Sequence, residues 1–282
     1  MKQIKIRISL LIGILCLFGS GLLMAWPPSS QDPDSSNSPI KQGYCIVTPT
    51  SAATAGLVVF ETFGEHRGNE VTQAGVLSSD MTTHAVLFTS TSGRLSRDLG
   101  IAIANPGSSA ANITLTLRDS TGMSIATTSF ALVAHQQTAR FVTQLFASKS
   151  LVPKDFTGTL DVSSDVAVAI VGLRFRGQNF STLPATNLAG SLPVPVVSAG
   201  IGGPAAVILA HFATGGGWAS EIVLANTGTA DLTVRVDLFG TDGLPLTATL
   251  NGQSNSSFQN LMIRAGGVVV LAPLNSQGDD DF

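Results

Sequence analysis

The side chains that could carry out chemistry in this sequence are few and lie far apart. The four histidines are His66, His84, His135 and His211. Metal sites draw on several histidine, cysteine or carboxylate ligands, and a catalytic histidine needs a nucleophile and an orienting group beside it. None of the four has such neighbours along the chain. We therefore predict that each is structural or solvated, with His135 in a turn and His211 in a strand, and that there is no catalytic or metal site.

The cysteines also argue against a metal site. Cys16 lies in an apolar stretch at the N-terminus, which leaves Cys45 with no partner for a disulfide and too few thiolates for a zinc site. We expect Cys45 to be a small buried apolar residue. No cofactor is expected.

Two glycine-rich stretches imitate nucleotide-binding motifs. "GIGGPA" (200–205) fits the dinucleotide fingerprint, but a strand-like "AVILAHF" follows it where a helix is required. "TGGGW" (214–218) lacks the lysine of a phosphate-binding loop. We interpret both as loops. Triads and carboxylate pairs assemble in space and not in sequence, so a small secreted hydrolase remains an alternative.

One aromatic residue is a candidate for ligand contact. Trp218 ends the second glycine-rich loop, and sugar-binding surfaces stack rings on exposed tryptophan or tyrosine. A carbohydrate-binding module is accordingly a further alternative. The competing interpretation is that the Trp218 ring covers one end of a folded unit.

The N-terminus has the plan of a targeting segment. Lys2, Lys5 and Arg7 precede an apolar stretch over residues 8–26, which fits a cleaved signal peptide or an uncleaved membrane anchor. Residues 27–42, rich in proline and serine, read as a linker. We expect a secreted, periplasmic or cell-surface protein that meets the membrane only through residues 1–26. The net charge of −3 and the 12% of charged residues argue against nucleic-acid partners.

The secondary structure predicted for the rest of the chain is based on a repeated sequence. "GIAIANPGSSAANITLTLRDSTG" (100–122) is matched by "EIVLANTGTADLTVRVDLFGTDG" (221–243). In both, apolar and polar residues alternate as in a strand with one buried face. Asn105 and Asn226 stand in "AN-x-G", a pairing that turns the chain through the asparagine side chain and a permissive glycine. Both copies end in a predicted hairpin turn.

The flanking segments extend this pairing. "GTLDVSSDVAVAIVGLRF" (158–175) has a weaker counterpart in "GYCIVTPTSAATAGLVVF" (43–60), each expected to form a strand, a polar turn and a second strand. We therefore predict an all-β chain of two tandem Ig-like antiparallel β-sandwich domains, 43–150 and 151–282, with one short helix near 139–147. The alternatives are a full unit over 84–190 flanked by half-units, and exchange of strands between units.

These stretches, together with "HFATGGGWASEIVLAN" (211–226), resemble uncharacterised secreted Ig-like modules of acidobacteria and similar bacteria. The resemblance implies a non-catalytic exported or cell-surface protein that serves structure, adhesion or interaction at the cell envelope. Its partner would be another envelope protein or a polysaccharide. It carries over no catalytic or binding residue.

Overall fold

The structure is a computed structural model that describes residues 42–50, 57–67, 70–91, 97–146, 152, 155–177, 179–190, 206–216 and 218–274. The predicted N-terminal targeting segment, the linker up to residue 41 and the "GIGGPA" stretch lie outside these residues. Among the residues described, no helix is both long and apolar enough to cross a membrane. The expectation of an all-β, antiparallel chain is confirmed.

Sixteen strands and one short helix make up the described chain. The strands before residue 150 are β1 (Phe60–Arg67), β2 (Glu70–Leu77), β3 (Met81–Ser90), β4 (Arg97–Ala104), β5 (Ala111–Asp119), β6 (Ser124–Leu132) and β7 (Gln137–Phe141). Helix α1 (Val142–Leu145) follows, inside the stretch where a helix was predicted. The later strands are β8 (Thr157–Arg176), β9 (Asn179–Leu183), β10 (Thr186–Asn187), β11 (Ile222–Ala225), β12 (Leu232–Asp237), β13 (Ala248–Leu250), β14 (Gln253–Asn255), β15 (Ser257–Ile263) and β16 (Val268–Leu271).

Residues 81–187, called here the central unit, form two packed antiparallel layers that share β8. The first half of β8 lies between β3 and β5, with β10 beyond β3 and β6 beyond β5. The second half lies between β4 and β9, with β7 beyond β4. Aliphatic side chains from β3, β4, β5 and β8 meet in one buried cluster, so the arrangement is sandwich-like.

Strand β8 corrects one expectation. Residues 158–175 were predicted as two strands separated by a polar turn, but the structure has one continuous strand. Its register with β3 shifts where the chain crosses from one layer to the other, between Ser163 and Val168. Asp165, in this crossing, accepts hydrogen bonds from the Asn112 amide nitrogen at 2.8 Å and from its side chain at 2.6 Å. The polar residues thus allow a bend and do not end the strand.

A buried asparagine joins the two layers of the central unit. Asn105 follows β4, is fully buried, and accepts a hydrogen bond from the Gly107 amide at 3.0 Å, which confirms the predicted side-chain turn. Its amide group also donates to the carbonyl oxygens of Ser109 at 2.8 Å and of Leu132, at the end of β6, at 2.9 Å. Because β4 and β6 belong to different layers, this one side chain ties them together.

Residues 206–274, called here the C-terminal unit, repeat this local geometry. Asn226 is buried, accepts from the Gly228 amide at 2.9 Å, and donates to the carbonyl oxygens of Ala230 at 2.8 Å and Ile263 at 3.1 Å. β11 pairs with β16 as β4 pairs with β7, and β12 pairs with β15 as β5 pairs with β6. The polar stretch "NGQSN" (251–255), which has no counterpart in the first copy, lies in the β13–β14 hairpin, whose turn residues Asn251 and Gly252 both have positive φ.

The predicted boundary at 150/151 separates strands that the structure pairs in one sheet. β8 lies after this boundary, and it is hydrogen-bonded to β3, β4 and β5, which lie before it. The alternative partition, 84–190, keeps these strands together. Which segment folds independently stays a prediction.

The N-terminal part of the described chain departs from expectation. Residues 42–50 form no strand, although the sequence predicts one, and Cys45 is exposed where burial was expected. β1 pairs with β2 in a hairpin. Ala74 of this hairpin packs on Leu173, and the Thr182 hydroxyl donates a hydrogen bond to the Gly75 carbonyl. The hairpin is therefore held on the central unit, whereas residues 42–50 carry no strand partner in the described structure.

Candidate functional site

Trp218 stands at the end of a tight turn in the C-terminal unit. The amide of Gly215 donates to the Trp218 carbonyl and the amide of Trp218 donates to the Gly215 carbonyl, both at 3.0 Å. Gly215 and Gly216 have φ of 86° and 60°, values that side chains with a Cβ rarely adopt. The glycine run therefore builds the turn that holds the tryptophan.

A second pair of hydrogen bonds closes the base of this turn. The Ser220 hydroxyl donates to the Ala213 carbonyl and accepts from the Ala213 amide, each at 2.9 Å. The turn thus presents Trp218 on a braced support, and the residue is 74% exposed. An exposed indole in this setting offers a flat apolar face with one N–H donor, which is suited to stacking on a sugar ring or on a partner's apolar surface. Its contact with a ligand remains a prediction.

The structure brings together one pair of ionisable groups that the sequence does not place side by side. His84 Nε2, on β3, lies 3.1 Å from Asp161 Oδ2, on β8. Asp161 is the neighbour in space because β3 and β8 are antiparallel partners, a register that no local pattern reveals. The His84 side chain is 41% exposed, so this pair lies at the surface of the sheet.

A His–Asp pair is two-thirds of a nucleophilic triad, so its surroundings decide its role. Thr82 is close, but its hydroxyl lies 2.7 Å from Asn187 Oδ1 and 2.7 Å from the His84 carbonyl oxygen. Within the described part of the chain, no hydroxyl or thiol hydrogen-bonds the His84 ring. The geometry is that of a bridge between adjacent strands, without an aligned nucleophile.

The other histidines are placed as follows. His135 lies in the turn before β7 with φ of 61° and is exposed, which confirms its predicted place in a turn. His211 is exposed and lies outside any strand, so the strand predicted for it is wrong. His66 lies on β1. Across the residues that the structure describes, no three metal-binding side chains come together.

Asp98 is a half-buried carboxyl that sequence reasoning missed. Burial raises its pKa above the ordinary value of 3.8, and hydrogen bonds from the Thr143 hydroxyl and from the Leu99 and Thr143 amides partly offset this. The Thr143 hydroxyl donates to Asp98 Oδ2 at 2.7 Å, and the Leu99 amide donates to Oδ1 at 2.8 Å. These bonds join α1 to β4 and give the carboxyl a structural role, while burial accounts for its raised pKa.

The two units meet at a buried ion pair and a shallow cleft. Arg174 of β8 donates to Glu221, just before β11, at 3.1 and 3.2 Å, and the Glu221 side chain is only 2% exposed. The guanidinium also lies 5.8 Å from the centre of the Phe88 ring. The cleft beside this junction is lined by uncharged side chains: Phe88, Ser90, Thr157, Asn251, Val270, Ala272 and Leu274. Such a lining offers hydrogen bonds and apolar contact but no acid–base group.

Comparison with known proteins identifies no family. No protein-family model matches the chain, and no curated protein matches it significantly. Among solved structures, the chain is similar to one described as the crystal structure of PBSX exported protein XepA. The identity is 15% and the TM-score 0.18, with 86% of this chain and 92% of that chain covered. A TM-score this low carries no argument about fold or function.

Proposed function

We propose that this chain is a non-catalytic exported or cell-surface protein of the bacterial envelope, built from Ig-like β-sandwich modules, that acts by binding a partner. The single observation that carries the proposal is the exposed apolar surface of the C-terminal unit. Trp218 is 74% exposed, and the consecutive residues Val207, Ile208 and Leu209 of the same unit are 75%, 63% and 64% exposed. Groups of exposed apolar side chains are typical of interaction surfaces.

The N-terminal sequence supports the place of action. A basic head followed by an apolar stretch is the plan of an export signal or an anchor, and a proline- and serine-rich linker would hold the folded units away from the membrane. Mass spectrometry of the protein recovered from bacterial culture tests this part. Loss of the first residues, or recovery of the full chain in the membrane fraction, supports export, whereas an intact chain in the cytoplasm contradicts it.

The absence of catalysis is tested by turnover on panels of ester and glycoside substrates. We expect none, because His84 and Asp161 bridge two strands and no nucleophile among the described residues is aligned with them. Hydrolysis that disappears in His84→Ala and persists in the matched surface variant His135→Ala would establish an enzyme and overturn the proposal.

A carbohydrate-binding module is the second candidate, and the braced turn under Trp218 favours it. Its test is retention of the protein on insoluble polysaccharides. If a sugar stacks on the indole, Trp218→Ala abolishes retention while Trp218→Phe keeps part of it. Phe239→Ala, a matched change at another exposed aromatic residue of the same unit, leaves retention unchanged. Equal retention of the native chain and the Trp218→Ala variant would reject this candidate.

A further inference from the structure

We propose that residues 43–48 of one copy of this chain add a strand to the open edge of β12 in a second copy. The inference deepens the proposed function, on which it rests, because it names the partner that the exposed surface receives. β5 has in the central unit the position that β12 has in the C-terminal unit.

The acceptor is an open strand edge. β5 is hydrogen-bonded on both sides, by β6 and by the first half of β8. Within the described chain, β12 is paired only with β15. An unpaired edge exposes a row of backbone donors and acceptors that another strand can complete.

The missing strand leaves a gap in side-chain packing as well. Ile113, Leu115 and Leu117 of β5 are all fully buried, and β8 covers them. Val234 and Val236, at the first two corresponding positions of the C-terminal unit, are only partly buried. Leu238, at the third corresponding position, is buried in the cluster of the C-terminal unit itself. The apolar face of β12 therefore lacks, at Val234 and Val236, the cover that β8 gives to β5.

The strand on the far side of the gap is missing too. In the central unit the first half of β8 also pairs with β3. Residues 206–212 precede β11 as β3 precedes β4, and this stretch, with Val207, Ile208 and Leu209, is exposed and forms no strand. One absent strand accounts for both observations, since it would pair with β12 on one side and with this stretch on the other.

The donor has the pattern of the strand that is missing. "GYCIVT" (43–48) matches "GTLDVS" (158–163), with glycine first and valine fifth in both. Cys45 and Val47 stand where β8 has Leu160 and Val162, the two residues that it buries against β5. In the structure Cys45 and Val47 are both exposed. The donor thus carries the apolar side chains that the gap requires.

The occupant is a second copy because the chain's own residues 42–50 are exposed and form no strand, while β12 lacks a partner on one edge. Each chain then carries one donor and one acceptor. A contact between two different surfaces of identical chains joins copies head to tail. We therefore expect dimers and longer assemblies, whose proportion rises with protein concentration.

The register of the central unit fixes which residues meet. Leu160 lies opposite Leu117 and Val162 opposite Leu115. Transferred to the open edge, Cys45 lies opposite Leu238 and Val47 opposite Val236. Directly opposed residues on paired strands are close enough for a disulfide. A cysteine placed at 238 should therefore bond to Cys45 of another copy.

Cross-linking of the full chain tests this. Cys16→Ser leaves Cys45 as the sole native thiol, and Leu238→Cys supplies its partner. After oxidation we expect bands of twice the chain mass and above on a non-reducing gel, which collapse on reduction. The matched control is Phe239→Cys, which is exposed on the neighbouring position and faces the other side of the strand. Its thiol should add no product to the dimers that exposed Cys45 forms with itself in the Cys16→Ser chain.

Two results would overturn the proposal. A disulfide formed within one chain, seen as a faster-migrating monomer with no free thiol, would make the chain its own donor. Cross-linking equal to that of Phe239→Cys would show chance collision. Neither result bears on the non-catalytic proposal, which depends on the turnover panels.

A second measurement avoids any change in the acceptor. Sedimentation of the Val47→Asp variant should show loss of the concentration-dependent dimer, because a carboxylate would have to enter the apolar gap. Ile46→Asp, one residue away on the opposite face of the added strand, should keep it. Equal assembly of the Val47→Asp and Ile46→Asp chains would also overturn the proposal.

Discussion

The central unit and the C-terminal unit differ most in the strand that lies beside β5 and has no counterpart beside β12 in the described chain. Both hold a buried asparagine after the first matching strand, and both pair their strands in the same order. Only the central unit has β8, which lies in both layers and covers β5. The buried aliphatic cluster of the central unit is correspondingly larger than that of the C-terminal unit. The comparison indicates that one long strand, and not the turns or the local pattern, closes this fold.

We expect the largest loss of stability from a substitution in β8. Leu160 is fully buried in the first half of β8, so Leu160→Ala removes packing from the centre of the core. We expect a loss of about 2 to 5 kcal/mol in the free energy of unfolding of the central unit. Hydrogen exchange followed residue by residue should show reduced protection in β5 and unchanged protection in β15.

A fall in protection of equal size in both units would break the comparison, because it would mean that they unfold as one body. Ile46→Ala serves as the control, since Ile46 is exposed and its truncation should leave both units unchanged.

The next effect concerns the junction between the units. Glu221→Ala leaves the Arg174 guanidinium in a largely buried site without its carboxylate. Breaking buried pairs typically costs about 3 to 5 kcal/mol, and we expect about 2 kcal/mol here because Arg174 is partly exposed and solvent screens it. Urea unfolding of the variant measures this loss. Arg235→Ala, which removes an exposed ion pair with Asp237, should cost little by comparison.

The two buried asparagines allow the most closely matched test. Asn105→Ala and Asn226→Ala each leave carbonyl oxygens and one amide without a buried partner. We expect each to cost about 1 to 3 kcal/mol in its own unit. Unfolding curves of the two variants should shift by similar amounts. A loss of stability in Asn105→Ala with none in Asn226→Ala would show that the shared hydrogen bonds stabilise only the unit that β8 closes.

The smallest effect is a dependence on pH. Burial raises the pKa of Asp98 above 3.8, so the folded chain binds this proton more tightly than the unfolded chain does. The resulting stabilisation is present below pH 3.8 and is lost as the pH rises through the raised value. Asp98→Asn should therefore show a flatter fall in stability above pH 3.8, measured by urea unfolding at several pH values.

Asp165 supplies the control of opposite sign. Hydrogen bonds from the amide and side chain of Asn112 lower its pKa, so its stabilisation is present above pH 3.8 and is lost as the pH falls through the lowered value. Asp165→Asn should change the pH dependence below 3.8 and leave it unchanged above. A change above pH 3.8 in Asp165→Asn would contradict this account of the two carboxyls.

Local patterns in the sequence predict the turns and strands well. The alternation in residues 111–117, the Asn105 turn and the hairpin turn at Gly122 depend on neighbours in the chain, and all are confirmed. The hydrogen bond from the Asn105 side chain to the Leu132 carbonyl depends on strands that the fold brings together in space. This hydrogen bond could not be predicted from the "AN-x-G" motif, because the turn made by the side chain already explains why asparagine and glycine stand there.

The expectations that failed concern long-range pairing. "VSSDVAV" (162–168) predicts a turn because serine and aspartate favour turns, but β3 pairs with β8 both before the crossing, at Ser163, and after it, at Val168, and the strand stays continuous. The sequence of residues 206–212 predicts a strand, yet without a strand beside it this stretch stays exposed. The His84–Asp161 pair likewise depends on a register that only the folded sheet defines.

Amide hydrogen exchange along β12 and β5 in dilute solution tests the central claim most directly. β5 has a partner on each side, so the account predicts slow exchange for all its amides. Every second amide of β12, facing away from β15, should exchange rapidly, whereas those directed at β15 should be slow. Slow exchange along the whole of β12, at a concentration where the chain is monomeric, would contradict the claim that this edge is open.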